Sequence, residues 1–196
     1  MRKAYCAIIF SFLFLSASAQ EVARISGKPV SSKAFIWFYK RNHNGNGNAS
    51  YRQLEDYLNL YLNFKLKVLD ALEMGFDKDT AYINEVSNYE KALRGRKRTA
   101  AKNETYTMIM NEYRDAVLMF NISEIKVWDK AQNDEAQLRT FYQQHKTDYA
   151  DAPFEEVRGK VISDYQQQLE HNWVASLRAK YTVEVYPETL RKLAKL

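Results

Sequence analysis

The strongest pattern along the chain is a stretch between residues 51 and 75 in which apolar residues return with the period of an α-helix. One broad side of this stretch holds the large apolar residues Leu54, Leu58, Tyr61, Leu62, Val68, Leu69 and Leu72, and Leu60, Phe64 and Ala71 widen it. The opposite side is polar and includes Asp56 and Asp70. So wide an apolar side predicts a central helix that neighbouring elements surround. Ser50 suits its N-cap, and Gly75 suits the position that follows its C-terminus.

One charged residue, Lys65, falls in the middle of the apolar side of this predicted helix. Its ammonium group either reaches solvent along the aliphatic stem or meets a carboxylate or carbonyl partner inside the fold. If the site is closed, we predict a partner, because an unpaired buried charge costs much free energy.

Several other stretches also show helical spacing, and residues that favour helix starts precede them. The predicted starts are Ser31 or Ser32, Asp77 or Asp79, Thr105, Ser123, Asn133 and Pro153. The last helix carries a long apolar stripe that reaches Tyr181. The polar runs 42–48 and 147–152 predict connectors. With only 6 Gly and 3 Pro in 196 residues, the pattern indicates a mostly α-helical protein.

Two short segments near opposite ends of the chain alternate between polar and apolar residues, as strands do. They are EVARI at 21–25 and TVEVY at 182–186, and Val30 could add a third strand after a turn. A lone strand leaves its backbone N–H and C=O groups unpaired, so we predict that these strands pair and pack on the helices. The expected fold is therefore mostly α, with a small two- or three-stranded β ribbon formed by the N- and C-terminal strands.

The first 19 residues have the three-part pattern of a secretory signal peptide. A basic start is followed by an apolar run that is too short to span a bilayer, and then by small residues ending at Ala19. We therefore expect cleavage between Ala19 and Gln20 and export to the periplasm. The rest, 20–196, is expected to form a single helical domain, with a helical part at 20–149 and a closing helix, strand and tail at 153–196.

Cysteine usage points to a bacterial rather than a eukaryotic exported protein. The single cysteine, Cys6, lies in the predicted signal peptide, so the exported chain would have no disulfide.

The net charge of +5 makes the chain mildly basic. The densest group of basic residues is the run 91–102, which includes Arg94, Arg96, Lys97 and Arg98. This run is either a solvated helix end or a contact with an acidic client or an anionic membrane surface, and the export signal argues against nucleic acid.

Candidate catalytic chemistry is sparse along the chain. The histidines at 43, 145 and 171 lie far apart, and no cysteine accompanies them, so we expect no metal site. No phosphate-binding loop, dinucleotide fingerprint or serine-nucleophile motif is present. We therefore expect no cofactor and no catalytic residue.

Four segments together give the chain a resemblance to SurA-type periplasmic chaperones and related parvulin-type peptidyl-prolyl isomerases. They are EVARISGKPVSSKAF at 21–35, LNLYLNFKLKVLDALEMGFD at 58–77, EYRDAVLMFNISEIKVWDK at 112–130, and PFEEVRGKVISDYQQQLEHNWVASLRAKYTVEV at 153–185. The resemblance implies a chaperone core built from an N-terminal helical domain and a closing C-terminal helix and strand. It departs from the family between Tyr149 and Pro153, where a parvulin domain is expected but only three residues stand. The isomerase active site therefore has no counterpart here.

The resemblance implies an ATP-independent holding chaperone that binds unfolded envelope or outer-membrane proteins and is not an enzyme. The candidate residues for lining a client site are Trp37, Tyr39, Tyr57 and Tyr61. Aromatic residues at helical spacing are more often core, so core packing is the alternative for each of them. A second hypothesis is a non-catalytic interaction subunit of an envelope complex. An isomerase function would rest on the family name alone.

Overall fold

The computed structural model describes residues 21–96 and 104–194, with only the backbone of Arg96. The predictions made for the signal peptide, for Ala19 and Gln20, and for 97–103 lie outside these residues. The strands are β1 Glu21–Ile25, β2 Lys28–Ser31 and β3 Val183–Val185. The helices are α1 Ser32–Asn42, α2 Tyr51–Glu73, α3 Thr80–Arg96, α4 Glu104–Ser123, α5 Asp129–Asn133, α6 Glu135–Gln144, α7 Phe154–Lys180 and α8 Pro187–Leu193. Short 3₁₀ turns cover Phe76–Lys78 and Lys146–Tyr149, and a π-helical segment covers Glu124–Trp128.

The strands form one antiparallel sheet in the order β2-β1-β3, so the two ends of the described chain meet. β1 and β2 are joined by the two-residue turn Ser26-Gly27, whose φ angles of 48° and 78° match the twist that a tight hairpin needs. β1 also pairs with β3, which places Arg24 opposite Glu184. The predicted mostly helical fold with a ribbon formed by the N- and C-terminal strands is confirmed.

Helix α2 is the element that the others surround, as the sequence predicted. It contacts α1, α4, α7 and α8. The Ser50 hydroxyl accepts a hydrogen bond from the Gln53 N–H, and the Gln53 side chain accepts one from the Ser50 N–H, which satisfies free donors at the start of the helix. After its end, Gly75 adopts a φ of 79°, a left-handed conformation that glycine reaches without strain.

Two residues of α2 face surroundings that differ from the prediction. Leu60 was placed on the apolar side, yet 65% of its surface is exposed. Asp70 was placed on the polar side, yet it is only 8% exposed. The cause is where the neighbours lie: α7 packs along α2, and its Trp173 donates a hydrogen bond to Asp70, whereas Leu60 remains uncovered. The helical period alone does not encode which strip each neighbour covers.

The predicted new helix at Ser123 is wrong, because α4 runs on through the π-helical segment into α5. Ser123 has helical backbone angles and caps nothing; its hydroxyl contacts the Met119 sulfur at 3.4 Å. The next helix, α6, begins one residue later than predicted. Asp134 rather than Asn133 is its N-cap and accepts a hydrogen bond from the Gln137 N–H at 3.1 Å.

The long helix α7 links two groups of buried side chains. Its 27 residues span about 40 Å at 1.5 Å per residue. The C-terminal half adds Trp173 and Leu177 to the main core around α2. The N-terminal half packs on α6 in a smaller apolar cluster made of Leu138, Phe141, Tyr142, Tyr149, Phe154 and Val161. The predicted closing helix thus packs against the N-terminal helices, and it also carries a second small core of its own.

Candidate functional site

An open groove lies between the β1–β2 hairpin, α1, α2 and α4. Its larger part has a volume of about 390 Å³ and is bounded by the β2 strand and the C-terminal half of α2. The apolar lining residues of this part are Ile25, Val30, Ala34, Val68, Leu69 and Leu72. Leu72 is 40% exposed, so this wall leaves apolar surface in contact with water.

The smaller part of the groove, about 120 Å³ in volume, continues between α1, α2 and α4. Its apolar lining residues are Trp37, Phe38, Phe64 and Met108, and Asn111 and Glu112 are polar lining residues. The two parts share Ala34, Tyr61, Lys65 and Asp115, so they adjoin. We call the two parts together the groove.

An ion pair between Lys65 and Asp115 stands where the two parts of the groove meet. Both side chains are half-buried, and the Lys65 ammonium also lies 5.6 Å from the centre of the Tyr61 ring. Burial lowers the pKa of Lys65. The neighbouring Tyr61 and Asp115 raise it by a larger amount, so the net shift of this pKa is upward. The predicted partner for Lys65 is confirmed, and the junction of the groove remains charged.

A second ion pair lies at the α1–α4 end of the groove. The Arg41 guanidinium forms an ion pair with Glu112, with Nε and Oε2 3.0 Å apart, and it also lies 5.3 Å from the centre of the Trp37 ring. Burial raises the pKa of the Glu112 carboxyl, although the nearby Arg41 opposes that shift. Trp37 is half-buried here, so its ring offers an apolar surface held in place by a charge.

The structure brings together two of the four aromatic residues that the sequence proposed for a client site. Trp37 and Tyr61 line the groove, with Tyr61 buried at its floor. Tyr39 and Tyr57 do not line either part of the groove. Tyr39 is buried, and its ring stacks on His43 with the ring centres 4.0 Å apart.

Tyr57 belongs to the same aromatic cluster as Tyr39. Its ring stands perpendicular to that of Tyr39 at 5.0 Å, and its oxygen accepts a hydrogen bond from the Asn42 amide at 2.9 Å. Burial raises the pKa of Tyr57 to about 12. These contacts join α1 to α2, which is the role of core packing that stood as the alternative for both residues.

Sequence reasoning missed the contribution of β2 and of the end of α2 to the groove. Leu69 and Leu72 were expected to be covered by neighbouring elements, yet Leu69 is only half-buried and Leu72 is exposed, and both line the open groove together with the buried Val68. The signal was present as an apolar side wider than one packing partner can cover. The sequence pattern did not indicate where the β1–β2 hairpin lies relative to α2, because that position depends on the pairing of β1 with β3.

A second unpredicted cluster centres on Asp70 and fastens α7 to α2. Its carboxylate accepts a hydrogen bond from Trp173 Nε1 at 3.0 Å. The ammonium groups of Lys126 and Lys180 lie 3.9 Å and 3.7 Å from its oxygens. Beside it, the Lys67 ammonium lies 5.1 Å from the centre of the Trp173 ring. Asp70 and Trp173 are buried between the helices, whereas the Lys126 and Lys180 side chains reach solvent, and the contacts of this cluster serve packing.

The basic run lies partly outside the described residues. Arg94, at the end of α3, donates to Glu90 at 2.7 Å and lies over the ring of Tyr106. The Arg96 side chain, Lys97 and Arg98 lie outside the described residues. Contact of this run with an acidic client or a membrane surface therefore stays a prediction.

Within residues 21–96 and 104–194, no group of three metal-binding side chains has a suitable arrangement. No helix in the same ranges is long and apolar enough to cross a membrane. Comparisons with known proteins found no matching family model, no matching curated protein and no matching solved structure. The resemblance to SurA-type chaperones is thus a prediction from the sequence, and these comparisons add nothing to it.

Proposed function

We propose that the protein is a holding chaperone of the bacterial periplasm that binds unfolded envelope or outer-membrane proteins without ATP and without a catalytic step. The observation that carries the proposal is the open groove, whose apolar wall around Leu72 faces water. The sequence resemblance supplies the class of protein and the compartment.

The groove suits segments that are apolar and extended. It is open to solvent, and its walls belong to regular elements that keep apolar side chains in fixed positions. Each apolar client side chain that becomes buried gains about 1.5–3 kcal/mol, and much of this gain is lost to ordering of the client. Binding of a few side chains is therefore weak, which allows release without nucleotide.

The charged junction limits how tightly an apolar segment can bind. The Lys65 and Asp115 side chains remain partly exposed, and so in contact with water, at the point where the two parts of the groove meet. A client that covered the pair completely would have to remove that water, which costs free energy. The groove is thus suited to many apolar segments in turn rather than to one permanent ligand.

Helix α2 offers a matched pair of variants that tests this proposal. Leu72→Gln alters the wall of the groove, and Leu60→Gln makes the same change on the same helix at an exposed site outside it. The assay is suppression of light scattering when a chemically unfolded outer-membrane protein is diluted from urea. We expect Leu72→Gln to lose most of the suppression and Leu60→Gln to keep it. Equal activity of both variants would contradict the proposal.

Lack of suppression by the unaltered protein would also contradict it. In that case, recovery of one stoichiometric partner from envelope extracts would favour the second hypothesis, a non-catalytic interaction subunit.

A further inference from the structure

The outer edge of the sheet at β3 carries backbone groups that point away from the molecule's own strands. The Ser26 N–H donates to the Thr182 carbonyl at 2.8 Å, which marks a hydrogen-bonded pair in the β1–β3 ladder. Such pairs alternate along antiparallel strands. Val183 and Val185 therefore occupy the intervening positions, and their N–H and C=O groups point outward. In the part of the chain that the structure describes, no strand lies beyond β3.

The two edges of the sheet differ in their capacity to accept another strand. On the opposite edge, Pro29 pairs with Arg24 at a position whose backbone also points outward. Proline has no N–H, so this edge lacks a donor where an added strand would need one. β3 has no proline and no bulge in its ladder with β1. The β3 edge is thus open, and the β2 edge beside the groove is blocked.

The side chains on β3 define what could pair with it. Val185 is 41% exposed, although Ala23, its cross-strand neighbour on the same face of the sheet, is buried. The Glu184 carboxylate accepts a hydrogen bond from the Tyr186 hydroxyl at 3.4 Å and forms no direct ion pair among the described residues, although the Arg24 guanidinium lies near enough to interact with its charge. Arg24, its cross-strand neighbour, instead binds Glu21 at 2.6 Å. The edge therefore presents an unpaired acid between two apolar residues.

We propose that the outer edge of β3 binds an extended client segment by antiparallel strand addition, and that the favoured segment carries a basic residue between two β-branched apolar residues. The assumption that this segment belongs to a client protein rests on the proposed function. The central basic residue would stand opposite Glu184 in a non-hydrogen-bonded pair, where facing side chains are closest. The groove would then bind side chains of a client, and the β3 edge would bind the main chain of another part of the same client.

A second copy of this chain is a poorer occupant of the edge. Antiparallel pairing of two β3 strands would put Glu184 directly opposite Glu184 of the other copy, and like charges in that position repel. The strand is also only three residues long, so few backbone hydrogen bonds are available. This suits weak and reversible capture of a client better than stable assembly.

The test uses the blocked peptide Thr-Val-Lys-Val-Thr as the probe and hydrogen exchange of the Val183 and Val185 amides, followed by NMR, as the readout. We expect saturating peptide to slow exchange of both amides severalfold. Methylation of the two valine nitrogens of the peptide removes its donors and should abolish the effect. Replacing its lysine by glutamate should weaken binding roughly fivefold, the factor that corresponds to about 1 kcal/mol for a cross-strand charge pair. Equal protection by the methylated peptide, or none by the parent peptide, would overturn the proposal.

Protein variants separate this edge from the groove. Val185→Pro places on the β3 edge the same block that Pro29 places on the other, and we expect it to lose peptide binding. Val185→Thr keeps the N–H and the branched shape and should keep binding. Leu72→Gln should leave peptide protection unchanged, so failure of the groove and failure of the edge are distinguishable. Concentration-dependent dimers in sedimentation equilibrium that Val185→Pro abolishes would assign the edge to self-pairing and overturn the proposal.

Discussion

The hydrogen bond from Trp173 to Asp70 should contribute strongly to holding α7 against α2. The donor and acceptor are 3.0 Å apart, and Asp70 is 8% exposed. The perturbation is a double-mutant cycle with Trp173→Phe, Asp70→Asn and the combined variant. Trp173→Phe removes the indole donor and keeps an aromatic ring, whereas Asp70→Asn removes the negative charge and keeps the size of the side chain.

The expected magnitude follows from the surroundings of the carboxylate. A hydrogen bond to a charged group contributes about 1.5–3 kcal/mol to stability. When the indole donor is lost, Lys126 and Lys180, at 3.9 Å and 3.7 Å, still compensate part of the charge. We therefore expect the lower end of that range from the lost bond, and a coupling of about 1 kcal/mol between the two sites.

The assay is urea unfolding followed by far-ultraviolet circular dichroism, which does not depend on the tryptophan that is changed. With a denaturant slope of about 2 kcal/mol per molar urea, a loss of about 1.5 kcal/mol lowers the midpoint by roughly 0.75 M. Trp128→Phe is the control, because this indole packs edge-on against the exposed Phe120 and should cost less. If the effects of the two single changes sum to the effect of the combined variant within about 0.3 kcal/mol, a direct bond as the link between the helices is refuted.

Three further predictions concern closure, pH and catalysis. A chain ended after Ala152 should lose much of its stability in urea, because α7 and β3 are then absent; an unchanged midpoint would show that the C-terminal segment is an appendage. The pKa of Glu112 is raised above its ordinary 4.5 in the folded state, so its contribution to stability falls as the pH rises through the interval just above 4.5. The stability of Glu112→Gln relative to the unaltered protein should therefore increase between pH 4 and pH 7, and a constant or falling difference in urea midpoints would contradict this. A protease-coupled proline-peptide assay should show no rate above the uncatalysed one, since no parvulin-like block stands between Tyr149 and Pro153; acceleration in proportion to protein concentration would overturn this expectation.

The parts of the fold that follow local rules could be predicted from the sequence. Ser50 and Gly75 mark the ends of α2 because capping depends on neighbouring residues alone. The pairing of β1 with β3 followed from a general requirement, namely that strands need partners for their backbone groups. Lys65 was expected to have a partner for the same kind of reason, the cost of an unpaired charge, but Asp115 could not be named in advance.

The parts that depend on the direction from which neighbours approach could not be predicted. Leu60 and Asp70 differ from expectation because α7 covers one strip of α2 and leaves another open. Ser123 suited a cap by residue type, yet the helix continues through it, and packing of its buried side chain outweighs the local preference. The groove combines residues from β2, α1, α2 and α4, so its existence follows only from their assembly.

Site-specific photo-crosslinking tests most directly whether the groove is where clients bind. A benzophenone amino acid replaces Leu72 in the groove, Leu60 on the same helix outside it, or Phe120 on the exposed surface of α4, and each variant is irradiated with an unfolded outer-membrane protein. We predict strong crosslinks from position 72 and only background crosslinking from positions 60 and 120. The crosslinks from position 72 should become weaker when the client is folded and when an excess of competing peptide is added. Equal crosslinking from all three positions, or none from position 72, would contradict the account.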